Sequence, residues 1–386
     1  MLRKCFLNGS VLDPVTPEYS WNLPGLPRKN IGFSICRDSG MIMQSPSPTP
    51  EEIEDYYRHT ATYINPGRNG KPSLIKEKGV KRLISICKDL LNKWPQSIFQ
   101  VGCSDGYTLS EFSREGGSIV DGVDPSTASS DLAKRLYNIK TSVGCFENFS
   151  SNDQKYELLI LTHVLEHLFD PLNVLLKCSN MQDYDDHLLL EVPLFENESE
   201  FPPGILTLEH LNYFSEGTII ESLTRANYCP IFIGKYFSFH KYPAITVLAK
   251  KVLECQIIKS KDYEKNLKIL NKYLHTEQKN WKLVDTILKS KIEKGDTGYI
   301  FGAGIHTSQL LAFSRLEEIF KIKGIIDNSP TKWGKKFGKL DCYKLEEVNL
   351  CKNDKIIISS YASEDEIYKP LSQNIENEII CLYKDR

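Results

Sequence analysis

The sequence predicts an α/β fold built on a doubly wound, mostly parallel sheet. Apolar runs of strand type alternate with amphipathic runs of helical period between residues 75 and 250. Such alternation requires crossover connections, and these cover a parallel sheet on both faces. The strand–turn–helix pattern begins again near residue 297, which predicts a second, smaller α/β domain.

The composition indicates a soluble globular protein of several domains. A chain of 386 residues is too long for one ordinary core. A net charge of −2 gives no reason to expect nucleic acid or an anionic membrane as partner. No apolar run approaches the roughly 20 residues of a membrane span, and the first residues lack the apolar centre of a signal peptide. We therefore expect a cytoplasmic protein whose 11 cysteines are reduced thiols.

The first 73 residues form a loop-rich arm that carries two unusual cysteines. The segments starting at Cys5 and Cys36 each look like half of a C-x-x-C-G zinc knuckle, with Asn8 and Ser39 in place of the second cysteine. Two thiols are too few for a tightly held zinc ion, so no metal is expected there. The alternative is that the two cysteines are unrelated.

The central feature of the chain is the turn at residues 102–106. A strand-type run ends at Val101, a G-x-x-x-G turn follows, and a helix-compatible stretch comes next. Glycines let the backbone approach a ligand, and free N–H groups at a helix start favour polar ligand atoms. Asp124 ends the next strand, 18 residues after Gly106, where a carboxylate can take both hydroxyls of a ribose. The turn lacks the third glycine of the dinucleotide fingerprint, which disfavours NAD.

The chain divides into four segments in this interpretation. They are an arm at 1–73, a sheet domain at 74–253, a helical connector at 254–293 and a Rossmann-like domain at 294–386. The connector carries apolar residues at helical spacing and could equally form a dimer seam. The last domain repeats a glycine turn at Gly302 and Gly304 with an acid, Asp327. It could bind a nucleotide or simply support the first domain.

Two further segments point to a known family. Residues 162–171 contain V-L-E-H, and residues 208–215 contain E-H-x-x-Y-F-S. With the glycine turn and Asp124, they resemble class I S-adenosylmethionine-dependent methyltransferases. More narrowly, the three-part order resembles the sugar C-methyltransferases that act on nucleotide-linked keto-sugars and carry an N-terminal zinc-binding segment. The chain departs from that pattern at Gln100, where an acid is usual, and at Thr207, where a tyrosine is usual.

The resemblance implies a Rossmann-like methyltransferase sheet with S-adenosylmethionine as cofactor. It implies transfer of a methyl group to a carbon or hydroxyl of a nucleotide-linked or glycan sugar, in polysaccharide, glycan or deoxysugar biosynthesis. The cofactor would lie against the turn and the next two strands, with Asp124 at the ribose and 145–147 at the adenine. The implied cofactor-binding residues are Gly102, Cys103, Ser104, Asp105, Gly106, Asp124, Glu147 and His163.

A base is needed because an acceptor must lose a proton. In the interpretation suggested by the resemblance, His210 accepts it from beside a ketone or from a hydroxyl, and Glu209 orients the imidazole. His163, His167 and Tyr57 are the other catalytic candidates, although one of the two histidines could be a packed helix residue. The substrate-binding candidates are Tyr63, Gly302, Gly304, His306 and Asp327.

Other functions remain open at this stage. The loss of tyrosine at Thr207 leaves both carbon and oxygen acceptors possible, so a small-molecule O-methyltransferase is one alternative. A non-catalytic binding scaffold is another, given Gln100 and the halved knuckles. Methylation of nucleic-acid bases is disfavoured, because 162–165 replaces the clamp used on flipped bases and no basic stripe exists. We expect a small-molecule partner and a monomer or homodimer.

Overall fold

The computed structural model describes residues 1–22, 29–59, 72–151, 153–237, 242–361 and 363–383. They form two compact units, which differ from the four segments expected. Unit 1 is built from Met1–Thr16, Phe33–Pro202 and Glu209–Ile269, and unit 2 from Pro17–Gly32, Pro203–Leu208 and Leu270–Arg386. The arm contributes residues to both units.

Unit 1 contains the predicted alternation of strands and helices. Its elements are β1 (Leu12–Pro14), β4 (Phe33–Cys36), β5 (Ile42–Gln44), α1 (Pro50–His59), α2 (Leu74–Leu90), β6 (Ser97–Val101), α3 (Tyr107–Arg114), β7 (Ile119–Asp124), α4 (Thr127–Tyr137), β8 (Ser142–Val143), β9 (Leu158–Thr162), α5 (Pro171–Asn180), β10 (His187–Pro193), β11 (Asn212–Tyr213), α6 (Glu216–Arg225), β12 (Tyr228–Phe237) and β13 (Pro243–Lys251). Helix starts follow the expected chemistry: Thr49 and Glu52 cap α1 reciprocally, and Asp170 caps α5.

The main sheet of unit 1 has seven strands in the order β12-β13-β10-β9-β6-β7-β8. Strands β10, β9, β6, β7 and β8 are parallel, and β13 runs antiparallel to β10. The α/β class with a mostly parallel sheet is therefore confirmed, and an antiparallel hairpin adds two strands at one edge. Because the parallel strands point the same way, the residues after β6, β7 and β9 share one edge of the sheet.

Three strands of the N-terminal arm form a small sheet in unit 1 together with β11, in the order β1-β4-β5-β11. The two halved knuckles lie together beside it. Cys5 Sγ is 3.7 Å from Ser39 Oγ, and Asn8 Nδ2 is 3.7 Å from Cys36 Sγ. A hydrogen bond from Cys5 lowers the pKa of the Cys36 thiol to about 5. Polar contacts thus join the four positions that two complete knuckles would give to a metal.

Unit 2 is the predicted smaller α/β domain. Its elements are β2 (Tyr19–Trp21), β3 (Lys29–Ile31), β14 (Thr297–Phe301), α8 (Ile305–Phe313), α9 (Leu316–Ile319), β15 (Lys321–Ile326), β16 (Lys336–Phe337), β17 (Leu340–Tyr343), β18 (Lys355–Ile358), α10 (Glu364–Asn374) and β19 (Ile379–Ile380). The sheet order is β16-β17-β15-β14-β18-β19. Four of these six strands lie where the sequence predicts them, and β16 and β17 are additional.

The predicted helical connector is one helix, α7 (Tyr263–Lys291). Its apolar positions at helical spacing include Leu270, Val284 and Leu288, and all three are buried. Among the residues that the structure describes, no helix is both long enough and apolar enough to cross a membrane.

The convergence of the two knuckles predicts that a zinc site can be rebuilt. The double variant Asn8→Cys/Ser39→Cys supplies four thiols, and we expect it to take up one more equivalent of Co²⁺ than the parent protein, with the near-ultraviolet charge-transfer band of thiolate ligation. Asn8→Cys alone is the control and should gain much weaker binding. Absence of the extra equivalent in the double variant would mean that the four positions do not have knuckle geometry.

Candidate functional site

The glycine turn lies directly after β6. Gly102 has φ +66° and Gly106 has φ +76°, and a Cβ on Gly102 would lie 2.4 Å from Val164 Cγ2. Only glycine therefore fits at position 102, in backbone conformation and in space. Ser104, between them, also has a positive φ of 48°. The contact with Val164 places the turn beside the segment that follows β9.

Asp124 ends β7 and closes the turn from the other side. Its Oδ2 accepts the backbone N–H of Ser104 at 2.9 Å, and its Oδ1 accepts that of Ser126 at 2.9 Å. Each carboxylate oxygen can accept a further hydrogen bond, so the group can still receive hydroxyl donors from a ligand. Burial raises the pKa of Asp124, and the two backbone donors oppose the rise.

The other predicted cofactor residues surround this turn. Asp105 forms an ion pair with Lys76 at 2.8 Å, and Cys103 is buried, which raises the pKa of its thiol. The segment leading to Glu147 begins beside Asp124, because Gly144 N–H donates to the Asp124 carbonyl oxygen at 3.0 Å. Glu147 itself is exposed. Turn, acid and this segment therefore lie together at one edge of the sheet.

Gln100 occupies the end of β6 behind the turn. Its Nε2 lies 3.5 Å from Thr162 Oγ1, whereas its Oε1 is buried and has no hydrogen-bond partner among the described residues. A buried amide oxygen without a donor is costly unless a ligand supplies one. The amide at this position therefore suits a polar ligand group.

His163 follows β9 in a strained backbone conformation. Its φ is +54°, which is uncommon outside glycine and is often found at functional sites. The ring lies between two buried acids, with Nδ1 3.5 Å from Glu166 Oε1 and Nε2 3.3 Å from Glu191 Oε1. Burial alone lowers the pKa of His163, but these carboxylates outweigh it and raise the pKa to about 9. His163 is therefore charged near neutral pH.

Glu166 is a deeply buried acid of the site, with 1% of its surface exposed. Neither carboxylate oxygen has a hydrogen-bond partner in the described part of the chain. Burial alone raises the pKa of Glu166, but the imidazoles of His163, His167 and His210 reverse this and hold it at about 2. The negative charge of Glu166 is therefore balanced by nearby imidazoles rather than by hydrogen-bond donors in direct contact.

His167 is held from behind by two oxygens. Its Nδ1 lies 2.9 Å from the Glu209 carbonyl oxygen and 2.8 Å from the Tyr57 hydroxyl. A carbonyl oxygen can only accept, so Nδ1 carries the proton and donates. The other ring nitrogen, Nε2, lies 3.7 Å from Glu166 Oε1.

Glu209 and His210 precede β11 and are both half-buried. The Tyr56 hydroxyl donates a short hydrogen bond to Glu209 Oε1. The His210 ring packs against that of His167, with 4.8 Å between centroids. The structure thus brings together His163, His167, Tyr57, Glu209 and His210, the five residues that the sequence proposed as catalytic.

Arg3 connects the two loops that carry these residues, and sequence reasoning missed it. The guanidinium is buried and donates to Leu211 O at 2.8 Å, to Phe169 O at 2.6 Å and to Asn212 Oδ1 at 3.0 Å. The Asn212 amide in turn donates to Leu168 O at 2.7 Å. Burial lowers the pKa of Arg3 to about 10. The first residues of the chain therefore fix the site.

The remaining predicted residues lie elsewhere. Gly302, Gly304, His306 and Asp327 belong to unit 2, and Tyr63 lies outside the described residues. Asp327 Oδ2 accepts from Ala303 N–H at 2.7 Å and pairs with Lys332 at 2.9 Å, which repeats the contact between Asp124 and its turn.

His306 is bonded within unit 2 on both sides of its ring. Nδ1 lies 2.8 Å from Ser359 Oγ and Nε2 lies 2.6 Å from the Tyr383 hydroxyl. Both ring nitrogens are therefore engaged by the protein itself, which favours a structural role over the predicted contact with substrate.

Comparison with known proteins adds family information. Residues 76–230 match a family model described as a methyltransferase domain, and residues 298–380 match one described as C2185-like, N-terminal. A ubiquinone biosynthesis O-methyltransferase of Histophilus somni is 24% identical over 139 residues, which are 33% of this chain and 57% of that protein. One from Actinobacillus pleuropneumoniae serotype 7 is 26% identical over 137 residues, with the same coverage. The chain thus spans a little over half the length of these relatives.

Solved structures with a similar fold include two methyltransferases. Magnesium protoporphyrin IX methyltransferase of Synechocystis PCC 6803, with bound S-adenosylhomocysteine, has 15% identity and a TM-score of 0.42, covering 53% of this chain and 100% of that one. The 1,6-didemethyltoxoflavin-N1-methyltransferase of Burkholderia thailandensis has 14% identity and a TM-score of 0.42, covering 56% and 97%.

The buried His306 predicts acid sensitivity of unit 2. Burial lowers its pKa to about 4, so the unfolded chain binds the proton first as the pH falls below about 6.5. The free energy of unfolding should then fall by about 1.4 kcal/mol per pH unit between pH 6.5 and 4. Denaturant titrations followed by fluorescence of Trp21, Trp281 and Trp333 measure this. His306→Gln should reduce the pH dependence of the free energy of unfolding, whereas His275→Gln, an exposed control on α7, should not. An equal pH dependence in the two variants would show that His306 is not the source of the acid sensitivity.

Proposed function

We propose that this protein methylates a hydroxyl oxygen of a small organic molecule and that residues 76–230, which match a family model described as a methyltransferase domain, act as a class I S-adenosylmethionine-dependent catalytic domain. The observation that carries the proposal is the position of the imidazole–carboxylate cluster. Val164 contacts the glycine turn, and the cluster residues follow it in the same segment. Proton-accepting groups thus lie next to the turn that fits a nucleoside cofactor.

The residues present fit S-adenosylmethionine. Asp124 keeps acceptor capacity for hydroxyl donors beside the turn, and Gln100 offers a buried oxygen that has no partner among the described residues. When bound, the cofactor supplies a methyl group on a sulfonium. The acceptor oxygen loses its proton and forms the O–CH₃ bond while the S–CH₃ bond breaks, which leaves S-adenosylhomocysteine.

We assign proton removal to the half-buried pair Glu209 and His210. Two other ionisable groups of the cluster are less accessible: the His163 ring lies between two acids, and Glu166 has almost no exposed surface. Tyr56 holds the Glu209 carboxylate, and the His167 ring packs edge-on against that of His210. Arg3 and Asn212 keep both loops in place, so the pair is held before the acceptor arrives.

An oxygen acceptor is favoured over carbon for two reasons. The curated relatives are O-methyltransferases by name. In addition, oxygen acceptors need only a base, whereas a carbon acceptor also needs stabilisation of an enolate, and Thr207 lacks the tyrosine hydroxyl that the sugar C-methyltransferases place there. The test is formation of S-adenosylhomocysteine with a panel of phenols and alcohols as acceptors.

A second candidate is methylation of a nucleotide-linked sugar. The observation that favours it is in unit 2, where a glycine turn and Asp327 repeat the contact made by Asp124. Calorimetric titration with thymidine and uridine diphosphates tests it. Micromolar binding of either diphosphate would favour this candidate, whereas S-adenosylhomocysteine binding alone would favour the small acceptor.

Asp124→Asn should weaken binding of S-adenosylhomocysteine by about 10-fold or more. The change removes the negative charge that strengthens hydrogen bonds from hydroxyl donors, while the amide still accepts one backbone N–H. Isothermal titration calorimetry gives the dissociation constant, and Asp131→Asn, an exposed position on α4, is the control. An unchanged constant in Asp124→Asn would contradict the assignment of the ribose to this residue.

His210→Ala should lower kcat by roughly 100-fold or more, the scale of a lost general base. Its dissociation constant for S-adenosylhomocysteine should stay within about threefold of the parent value, because His210 is not part of the glycine turn. Glu209→Gln should lower kcat in the same way. His275→Ala serves as control for a histidine outside the site, and near-normal turnover in both site variants would remove this pair from the mechanism.

A further inference from the structure

We propose that Glu166, His167 and His210 bind a divalent metal ion of the zinc type, which holds the acceptor hydroxyl. One oxygen or nitrogen of each residue lies within 4.8 Å of the corresponding atoms of the other two. Two imidazoles and one carboxylate form the ligand set of many catalytic zinc sites, where a fourth position stays open. The inference rests on the proposed function and adds a Lewis acid to it.

The state of Glu166 is the first argument. Only 1% of the surface of Glu166 is exposed to solvent, and neither carboxylate oxygen has a hydrogen-bond partner among the described residues. Buried carboxylates are normally paired, hydrogen-bonded or bound to metal. Of its two histidine ion-pair partners, His163 is the nearer, with Nδ1 at 3.5 Å, at the outer limit of a hydrogen bond, and that imidazole is shared with Glu191. The carboxylate of Glu166 therefore retains the capacity to bind a cation.

The orientation of His167 is the second argument. Metal-bound histidines usually donate their other ring N–H to a backbone carbonyl or a carboxylate. His167 has this arrangement, since Nδ1 donates to the Glu209 carbonyl oxygen at 2.9 Å. The lone pair of Nε2 then lies 3.7 Å from Glu166 Oε1. Two ligands of a tetrahedral zinc ion are about 3.4 Å apart, so this pair needs little adjustment.

The third argument is the rigidity of the two loops. Glu166 and His167 lie on one loop and His210 on the other, and Leu211 N–H donates to Glu166 O at 2.8 Å. Arg3 and Asn212 add hydrogen bonds across the same junction. The three ligands are therefore positioned by the fold rather than by long mobile side chains, which favours binding without a large loss of entropy.

The metal ion would activate the acceptor hydroxyl, and Glu209 would accept its proton. A hydroxyl bound at its open position loses its proton more readily, because the cation stabilises the oxyanion. His210 would be engaged by the metal ion, so of the pair assigned to proton removal Glu209 alone would receive that proton. The oxyanion then forms the O–CH₃ bond as the S–CH₃ bond breaks, so charge and atoms balance.

The test is a titration of the metal-free full-length protein with Co²⁺, followed by visible absorption, and with Zn²⁺, followed by calorimetry. We expect one equivalent bound with the ligand-field bands of a nitrogen–oxygen site and no thiolate charge-transfer band, which separates this site from Cys5 and Cys36. Mg²⁺, which prefers oxygen ligands, should bind far more weakly. Glu166→Gln and His210→Ala should each weaken Co²⁺ binding by about 100-fold, whereas Glu209→Gln, the matched control outside the ligand set, should retain it.

The outcomes separate the metal site from the methyl transfer. Circular dichroism and S-adenosylhomocysteine binding report whether each variant is folded. Failure of folded Glu166→Gln and His210→Ala to weaken Co²⁺ binding, or absence of binding at millimolar Co²⁺, overturns the metal site even where methyl transfer is observed. Co²⁺ binding that depends on both residues supports the site even where no acceptor in the panel is methylated. Methyl transfer that is unaffected by complete removal of metal overturns the role of the cation in activation.

Discussion

The buried carboxylate of Glu166 is the constraint around which the site of unit 1 is arranged. An ionised carboxylate with almost no exposed surface must be compensated by charge, because its desolvation costs several kcal/mol. Three histidines supply that compensation, and each is held by a different part of the chain. His163 has a strained backbone after β9, His167 is bonded to the Glu209 carbonyl, and His210 lies on the loop that Arg3 secures. Three histidines from different parts of the sequence are therefore arranged around the single negative charge of Glu166.

Much of the fold could be predicted because buried parallel strands leave a local signal. Strands such as β9 and β10 are continuous apolar runs, and the helices between them have clear caps, so each element is specified by its own residues. The edge hairpin of β12 and β13 was not predicted, although β12 alternates half-buried and exposed residues over its length. The sequence itself does not alternate, because the exposed positions include Ile231, Ile233 and Phe237, which are as apolar as the half-buried ones.

The site could be predicted only in part. The histidines and Glu209 were found because imidazole and carboxylate chemistry is visible in single residues. Glu166 could have been found as well, since it lies three residues after His163 and directly before His167. Arg3 and Asn212 could not have been found, because their role in positioning the loops depends on contacts between distant parts of the chain. Arg3 donates to a carbonyl oxygen 208 residues away in sequence. A lone arginine in a loop-rich arm has no pattern that distinguishes it from a solvated charge.

The same contact of Arg3 determines when the site can form during synthesis. The arm leaves the ribosome before the loops that it binds, so the Arg3 guanidinium can bond Leu211 and Phe169 only after residue 211 has emerged. At about 5–20 residues per second, the arm waits on the order of 10–40 s for its partner. Strand β5 waits similarly for β11, which pairs with it. During that interval the apolar residues of the arm are exposed on the nascent chain, so early steps of folding in the cell favour a chaperone that shields the first 50 residues.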